Sequence, residues 1–338
     1  MRVVESRVKT IAAAAFAVIV LLASSAGAGA ARQQADSAGR FPIRPVRLIV
    51  SNTPGAASDV VARLVGAKLT EAWGQQIVID NRPGATGLIA AETLARAAPD
   101  GYTLWINSMT QLIATLQAQR YLLARDFAPV SLIASTPFLI ISGPAVPVKT
   151  LAEFIAYAKA RPGQLTYGSS GQWGSSHLCM ESLDAMAGIK LLHVPYKSST
   201  QVMSDIVAGH IHAYCPGAPS VPAFLQTGKV RLLGVTYQRP TALAPGVPPV
   251  SDTLPGFELL GWYGLQAPLK TPKSLIAKIN ADLVKALRTP ELQEQLIKVS
   301  AEAVGSSPAE LGTFLEKETQ RWEKVLREGG VPLPASRG

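Results

Sequence analysis

VRLIVSNTPGAASDVVARLVGAKLTEAWG, residues 46–74, reads as strand, turn and helix in immediate succession. Val46 to Val50 is a nearly continuous apolar run, the pattern of a strand buried on both faces. Thr53 to Ala57 turn around Pro54 and Gly55. From Ser58 to Trp73 the apolar residues Val60, Val61, Leu64, Val65 and Leu69 recur at helical spacing. Ser58 is the expected N-cap, Asp59 complements the helix dipole in the first turn, and Gly74 stops the helix. The unit then repeats: a strand over Gln76 to Asp80, a turn over Asn81 to Gly87, and a helix from Thr86 or Gly87 to about Ala97. Pro99-Asp-Gly101 turns into the strand Tyr102 to Ile106. Strand–helix units joined by short turns predict an α/β fold with mostly parallel sheets flanked by helices.

Asp126 to Ile141 reads as a strand pair, punctuated by Pro129 and Pro137. A second α/β run follows over 142–233: helix 150–160, strand 165–167, a Gly- and Ser-rich loop 168–176, helix 177–186, strand 191–194, helix 199–208 and strand 211–214. Pro240 to Pro255 is expected to be a long surface connection. Amphipathic helices 272–286, 290–299 and 308–327 each begin near a proline, which suits the first helical position. Two α/β lobes joined by crossing strands leave a cleft between them, where ligand sites concentrate.

Upstream of all this, Arg2, Arg7 and Lys9 precede the apolar run Thr10 to Leu22 and a stretch of small residues ending near Ala30. That is the layout of a secretory signal peptide over residues 1–30, cleaved near Ala28 to Ala31, which places the mature chain in the periplasm. The run falls short of the roughly 20 residues that span a bilayer. The remaining chain is long enough for a large core. With 48% hydrophobic and 16% charged residues it is not a disordered sequence. The formal net charge is +9 and becomes +7 without residues 1–30. A positive field favours encounter with small anions. The basic residues are scattered rather than clustered, which speaks against nucleic acid as a partner. Cys179 and Cys215 can oxidise after export, but spacing alone does not pair them. No CxxC or HExxH spacing suggests a metal, and no motif calls for a cofactor.

Three Gly-rich turns stand at strand ends leading into helices, where ligands meet open α/β sheets. Gly55, Ala56, Ala57, Ser58 and Asp59 would present free backbone N–H groups at a helix start. Pro83, Gly84, Ala85, Thr86 and Gly87 offer the same device one unit later. Such groups bind a carboxylate without a basic side chain. The third turn, Tyr167 to His177, adds hydroxyl donors. A Ser–His–Asp hydrolase built on Ser169 or Ser170 is the competing chemistry, but the G-x-S-x-G elbow is absent. No Walker pattern follows any of these glycines.

The ordered set of motifs resembles the periplasmic solute receptors of tripartite tricarboxylate transporters, the Bug receptors. It comprises Phe41-Pro-Ile-Arg-Pro-Val-Arg-Leu-Ile-Val50, Pro54-Gly-Ala-Ala-Ser-Asp59, Asn81-Arg-Pro-Gly-Ala-Thr-Gly87 and Ala97-Ala-Pro-Asp-Gly-Tyr-Thr-Leu104. It continues with Tyr167-Gly-Ser-Ser-Gly171, Ser176-His-Leu178, His193-Val-Pro-Tyr-Lys197, Trp262-Tyr-Gly264 and Ala267-Pro268. The resemblance covers residues 41 to about 331. It implies a two-lobe type II periplasmic-binding fold of the venus-flytrap kind, with lobe 1 over 40–140 plus 235–331 and lobe 2 over 141–234. The hinge is expected near Leu139 to Ser142 and Gly234 to Thr236. The resemblance further implies a non-enzymatic, monomeric receptor. Its ligand is a small organic carboxylate (dicarboxylate, tricarboxylate, amino acid or aromatic acid) that it delivers to integral-membrane transporter subunits.

By position, Gly55 to Asp59 and Pro83 to Gly87 would supply contacts from the first lobe. Ser169, Ser170, Gly171, Ser175 and Tyr196 would supply those from the second. The chain departs from the family pattern at Ala56, Thr86 and Ser198, where glycine is common, and at Gln172-Trp-Gly174, where a small pair is usual. Trp173 is therefore a candidate to stack on a flat or aromatic acid. Arg82 borders one turn and could add a charge. A ligand sensor for a membrane histidine kinase is the alternative on the same fold, and a secreted hydrolase using Ser169 and Ser170 the alternative of another class.

Overall fold

The computed structural model describes residues 41–172, 174–196, 198–218, 221, 228–239, 241 and 243–328. Residues 1–30, the expected signal peptide, and Trp173 lie outside them. The chain opens with β1 (Val46–Val50), α1 (Ala57–Trp73), β2 (Ile77–Asn81), α2 (Leu88–Ala95), β3 (Thr103–Ser108), α3 (Met109–Ala118) and the short α4 (Leu123–Asp126). The long β4 (Phe127–Pro137) leads through Phe138 into β5 (Leu139–Ser142). Then follow α5 (Leu151–Lys159), β6 (Thr166–Ser169), α6 (Ser175–Ala187), β7 (Leu192–Pro195), α7 (Ser199–Ala208), β8 (Ala213–Tyr214) and β9 (Arg231–Val235). The chain returns through β10 (Leu260–Pro268) and finishes with α8 (Lys273–Leu287), α9 (Pro290–Lys298), β11 (Glu302–Ala303) and α10 (Pro308–Glu328).

These strands form two sheets, ordered β11-β4-β10-β3-β1-β2 and β7-β6-β8-β5-β9. The strand–helix units pair in parallel, as β2-β1-β3 and β7-β6-β8. Antiparallel pairing enters with the strands that cross between sheets, β4 and β10 in one and β5 and β9 in the other. A strand that leaves one sheet and re-enters from the other arrives in the opposite direction, so both sheets are mixed. The two crossings are bonded to each other. The Phe138 N–H donates to Thr236 Oγ1 (2.9 Å) and the Thr236 N–H to the Phe138 carbonyl (3.0 Å).

Three local expectations change. The N-cap of α1 is Ala56, in extended conformation, and not Ser58. Ser58 lies inside the helix, where its hydroxyl accepts from the Asn52 side chain (2.7 Å). The Pro-rich connection is not a surface strand of chain. Ala244, Val247 and Val250 are buried, and Pro249 bridges to Val235. Gly234 makes this fit possible, since a Cβ there would stand 2.8 Å from Val250 Cγ2. Residues 109–118, given no assignment from sequence, form α3. Finally, Cys179 on α6 and Cys215 just after β8 are joined in a disulfide, with Cα atoms 6.2 Å apart.

Candidate functional site

A cavity of about 270 Å³ opens between the two sheets. Three helix starts meet there: Ala57 begins α1, Ser108, Met109 and Thr110 begin α3, and Ser175 begins α6. Each helix follows directly from the carboxyl end of a strand, respectively β1, β3 and β6. Phe138 at one crossing, Gly217 bridged to it, and Thr136, Gly261, Trp262 and Tyr263 on β4 and β10 complete the wall. No Asp, Glu, Lys, Arg or His is among these lining residues.

The three helix starts share a second property. None has a side-chain cap. Two helices away from the cavity do carry such a cap, where Thr150 accepts the Glu153 N–H and Ser198 the Gln201 N–H. At α3 the cap position is Ser108, but its hydroxyl donates to Gln111 Oε1 (2.8 Å) instead. The first-turn N–H groups are therefore left for whatever fills the cavity. At α1 a buried carboxylate shapes the approach. Asp59 accepts the Gly55 N–H (2.8 Å), the Asn81 amide (2.9 Å) and the Arg63 guanidinium (2.8 Å). Burial pushes this carboxyl up, but the Arg63, Gly55 and Asn81 bonds together hold it below its ordinary value. Gly55, at φ +85°, closes the turn.

The structure places the sequence-predicted residues unevenly. Ala57 and Ser175 come together at the cavity. Gly55 and Ala56 form the turn before Ala57, and Ser58 and Asp59 lie in the first turn of α1. The turn Pro83 to Thr86 is exposed and does not line the cavity. Ala85 and Thr86 both hold positive φ there (45° and 53°). Gly87 is buried against α3, and a Cβ on it would stand 2.5 Å from Gln111 Cγ. Gly87 thus packs against Gln111 on α3. Arg82 is tied to Asp80 (3.0 Å).

In the second sheet, Ser169 is fully buried, 2.6 Å from His193 Nε2, and donates to the Gly171 carbonyl (3.0 Å). The Ser170 N–H donates to Ser176 Oγ (3.2 Å). Gly171 (φ +144°) turns the chain toward Gly174 and the start of α6. Tyr196 donates to Asp205 Oδ2 (2.6 Å) and lines a different, open depression with Pro195 and Thr200.

Behind the loop lies a polar stack. The rings of His177 and His193 are 3.8 Å apart, with Tyr167 stacked 5.0 Å from His193 and bonded to Glu181. Burial, reinforced by His177, pushes His193 down to about 4. Burial also pushes the Asp184 carboxyl up to about 6. The Ser169–His193 contact has the look of a nucleophile and its base. The Ser169 hydroxyl, however, is fully buried.

Residues 61–331 match the sequence profile of the tripartite tricarboxylate transporter family receptor. The chain belongs to this family. A UPF0065 protein from the tcbD–tcbE intergenic region of Pseudomonas sp. strain P51 is 36% identical, over 85% of this chain and 87% of its own. Among solved structures, Rpa4515 of R. palustris, determined with adipate, is 33% identical with a TM-score of 0.71, covering 86% and 98% of the two chains. MatC from Rhodopseudomonas palustris, determined with bound malate, is 30% identical with a TM-score of 0.69, covering 85% and 100%. The fold is that of the two-lobe periplasmic binding proteins, and the family is one of solute receptors.

For this receptor, sequence reasoning missed most of the cavity wall. One part had a local signal: Ser108 precedes Met109, Leu112, Ile113 and Leu116 at helical spacing. Trp262 and Tyr263 stood in a family motif but carried no site assignment. Thr136, Phe138 and Gly217 reach the cavity only because the crossings place them there, and no local pattern marks them.

Proposed function

We propose that this receptor is exported to the periplasm and binds a small organic carboxylate at the convergent starts of α1, α3 and α6. One observation carries the reading: three helix N-termini without a side-chain cap meet at one cavity, and among the described residues no carboxylate lines it. Each helix start acts as roughly half a positive charge, and its free N–H groups are oriented donors. Charge-assisted bonds of this kind are strong where water is thin. The adipate and malate held by the two relatives support the ligand class. Ala57 and Ser175 are the expected contacts from the predicted set, joined by Ser108 and Thr110. The lobes close about the paired crossings at Phe138 and Thr236, and the closed monomer presents its ligand to integral-membrane transporter subunits. The protein binds its ligand without transforming it.

A thermal-shift screen of the mature chain against aliphatic and aromatic acids tests this. A ligand selective for the folded state adds about 2.7 kcal/mol of stability at a hundredfold excess over Kd. A raised midpoint with at least one acid is expected. No shift with any acid, together with a native mass spectrum showing no bound small molecule, would refute the reading.

A further inference from the structure

We propose that Arg63 sets the affinity of the site for its acid, acting through Asp59 rather than by touching the ligand. This rests on the carboxylate reading above and names two positioning residues for that same site.

The cavity meets α1 at Ala57, and Ser58 and Asp59 continue the first turn of that helix. A carboxylate bound at this helix start shares the turn with a second carboxylate, that of Asp59. Asp59 is 1% exposed, so solvent screens its charge little. The chain supplies the compensation instead. Asp59 Oδ2 accepts from Arg63 Nε (2.8 Å) and from the Gly55 N–H (2.8 Å). Asp59 Oδ1 accepts from the Asn81 side chain (2.9 Å), which also donates to the Asn52 carbonyl (2.9 Å). Asn52 in turn donates to Ser58 Oγ (2.7 Å). Asp59 is therefore the centre of a polar frame that fixes the turn between β1 and α1.

Among these partners of Asp59, Arg63 alone carries a charge. It stands one turn further along α1, with its side chain 53% exposed. With the pair intact the frame is neutral, and the α1 start keeps its positive end for the ligand. Without Arg63, the Asp59 charge opposes the ligand carboxylate at close range and in a medium less polar than water. Without the Asp59 charge, Arg63 is left over and favours an anion. The two losses thus act on affinity in opposite directions. A pair that only braced the turn would weaken binding whichever partner was removed.

Isothermal titration of the mature protein with adipate, malate, benzoate and any further acid that raises the midpoint in the screen above tests the proposal, with urea denaturation to confirm that each variant is folded. For an acid that binds the wild type, Arg63→Gln is expected to weaken binding about five- to tenfold, and Asp59→Asn to tighten it by about fivefold. The double variant should return to within about twofold of the wild type. Arg96→Gln removes a similar charge from the far end of α2 and should change affinity by about twofold at most. Wild-type affinity in Arg63→Gln, an equal loss in Arg96→Gln, or weaker binding by a folded Asp59→Asn protein overturns the proposal and leaves the carboxylate reading standing. If Asp59→Asn does not fold, the comparison of Arg63→Gln with Arg96→Gln decides. Binding of no acid by the wild type, with no bound small molecule in its native mass spectrum, overturns both readings.

Discussion

Breaking the Cys179–Cys215 disulfide should destabilise the protein by an amount set by the loop it closes. The two residues are separated by 36 positions, and both are fully buried. Loop-closure entropy for that span gives about 4 kcal/mol at 25 °C, chiefly by restricting the unfolded chain. The bridge ties α6, which starts at the cavity with Ser175, to the segment that carries Gly217, another lining residue. Urea titration of the mature protein with and without tris(carboxyethyl)phosphine measures the effect without changing any side chain. Unfolding exposes the bridge to the reductant, so the reduced curve reports the open chain. The midpoint should fall by about 4 kcal/mol divided by the urea slope. Thiol titration after denaturation should count two free thiols in the reduced sample and none in the untreated one. Coincident midpoints with two thiols reduced would refute the loop argument, and two thiols in the untreated protein would refute the bridge.

Two further outcomes can be checked by similar means. Asp184, pushed up to about 6 from an ordinary 3.8, contributes stability that is full below about pH 4 and is lost as pH rises through 6. His193, held at about 4 against an ordinary 6.5, contributes the reverse, lost as pH falls from 6.5 through 4. The two slopes oppose and largely cancel between about pH 4.5 and 6, so Asp184→Asn should gain stability with rising pH across that window relative to the wild type; identical pH profiles would contradict the assignment. Gly87→Ala should destabilise by about 1–3 kcal/mol, because the new Cβ meets Gln111 at a positive φ of 98°. Chemical denaturation reads this directly, and an unchanged midpoint would show that α3 can shift to make room.

Much of this molecule was legible because its strand–turn–helix units are local. The period of Val60 to Leu69 and Gly74 at the end define α1 whatever surrounds it, and α7 spans Ser199 to Ala208 as its pattern predicts. The motifs from Phe41 to Pro268 carried the family, and the family carried the two-lobe fold. α3 escaped notice because Ser108 is at once the last residue of β3 and the cap position of the helix, with no Gly or Pro to mark the join. What the local pattern could not decide is which helix starts meet. A turn such as Pro83 to Gly87 has the composition of an anion site, yet it packs on α3 with most of its residues exposed. Tyr196 has a phenol suited to a ligand, yet Asp205 nine positions on already accepts its proton. Convergence of Ala57, Ser108 and Ser175 depends on strand order and on two crossings far apart in sequence.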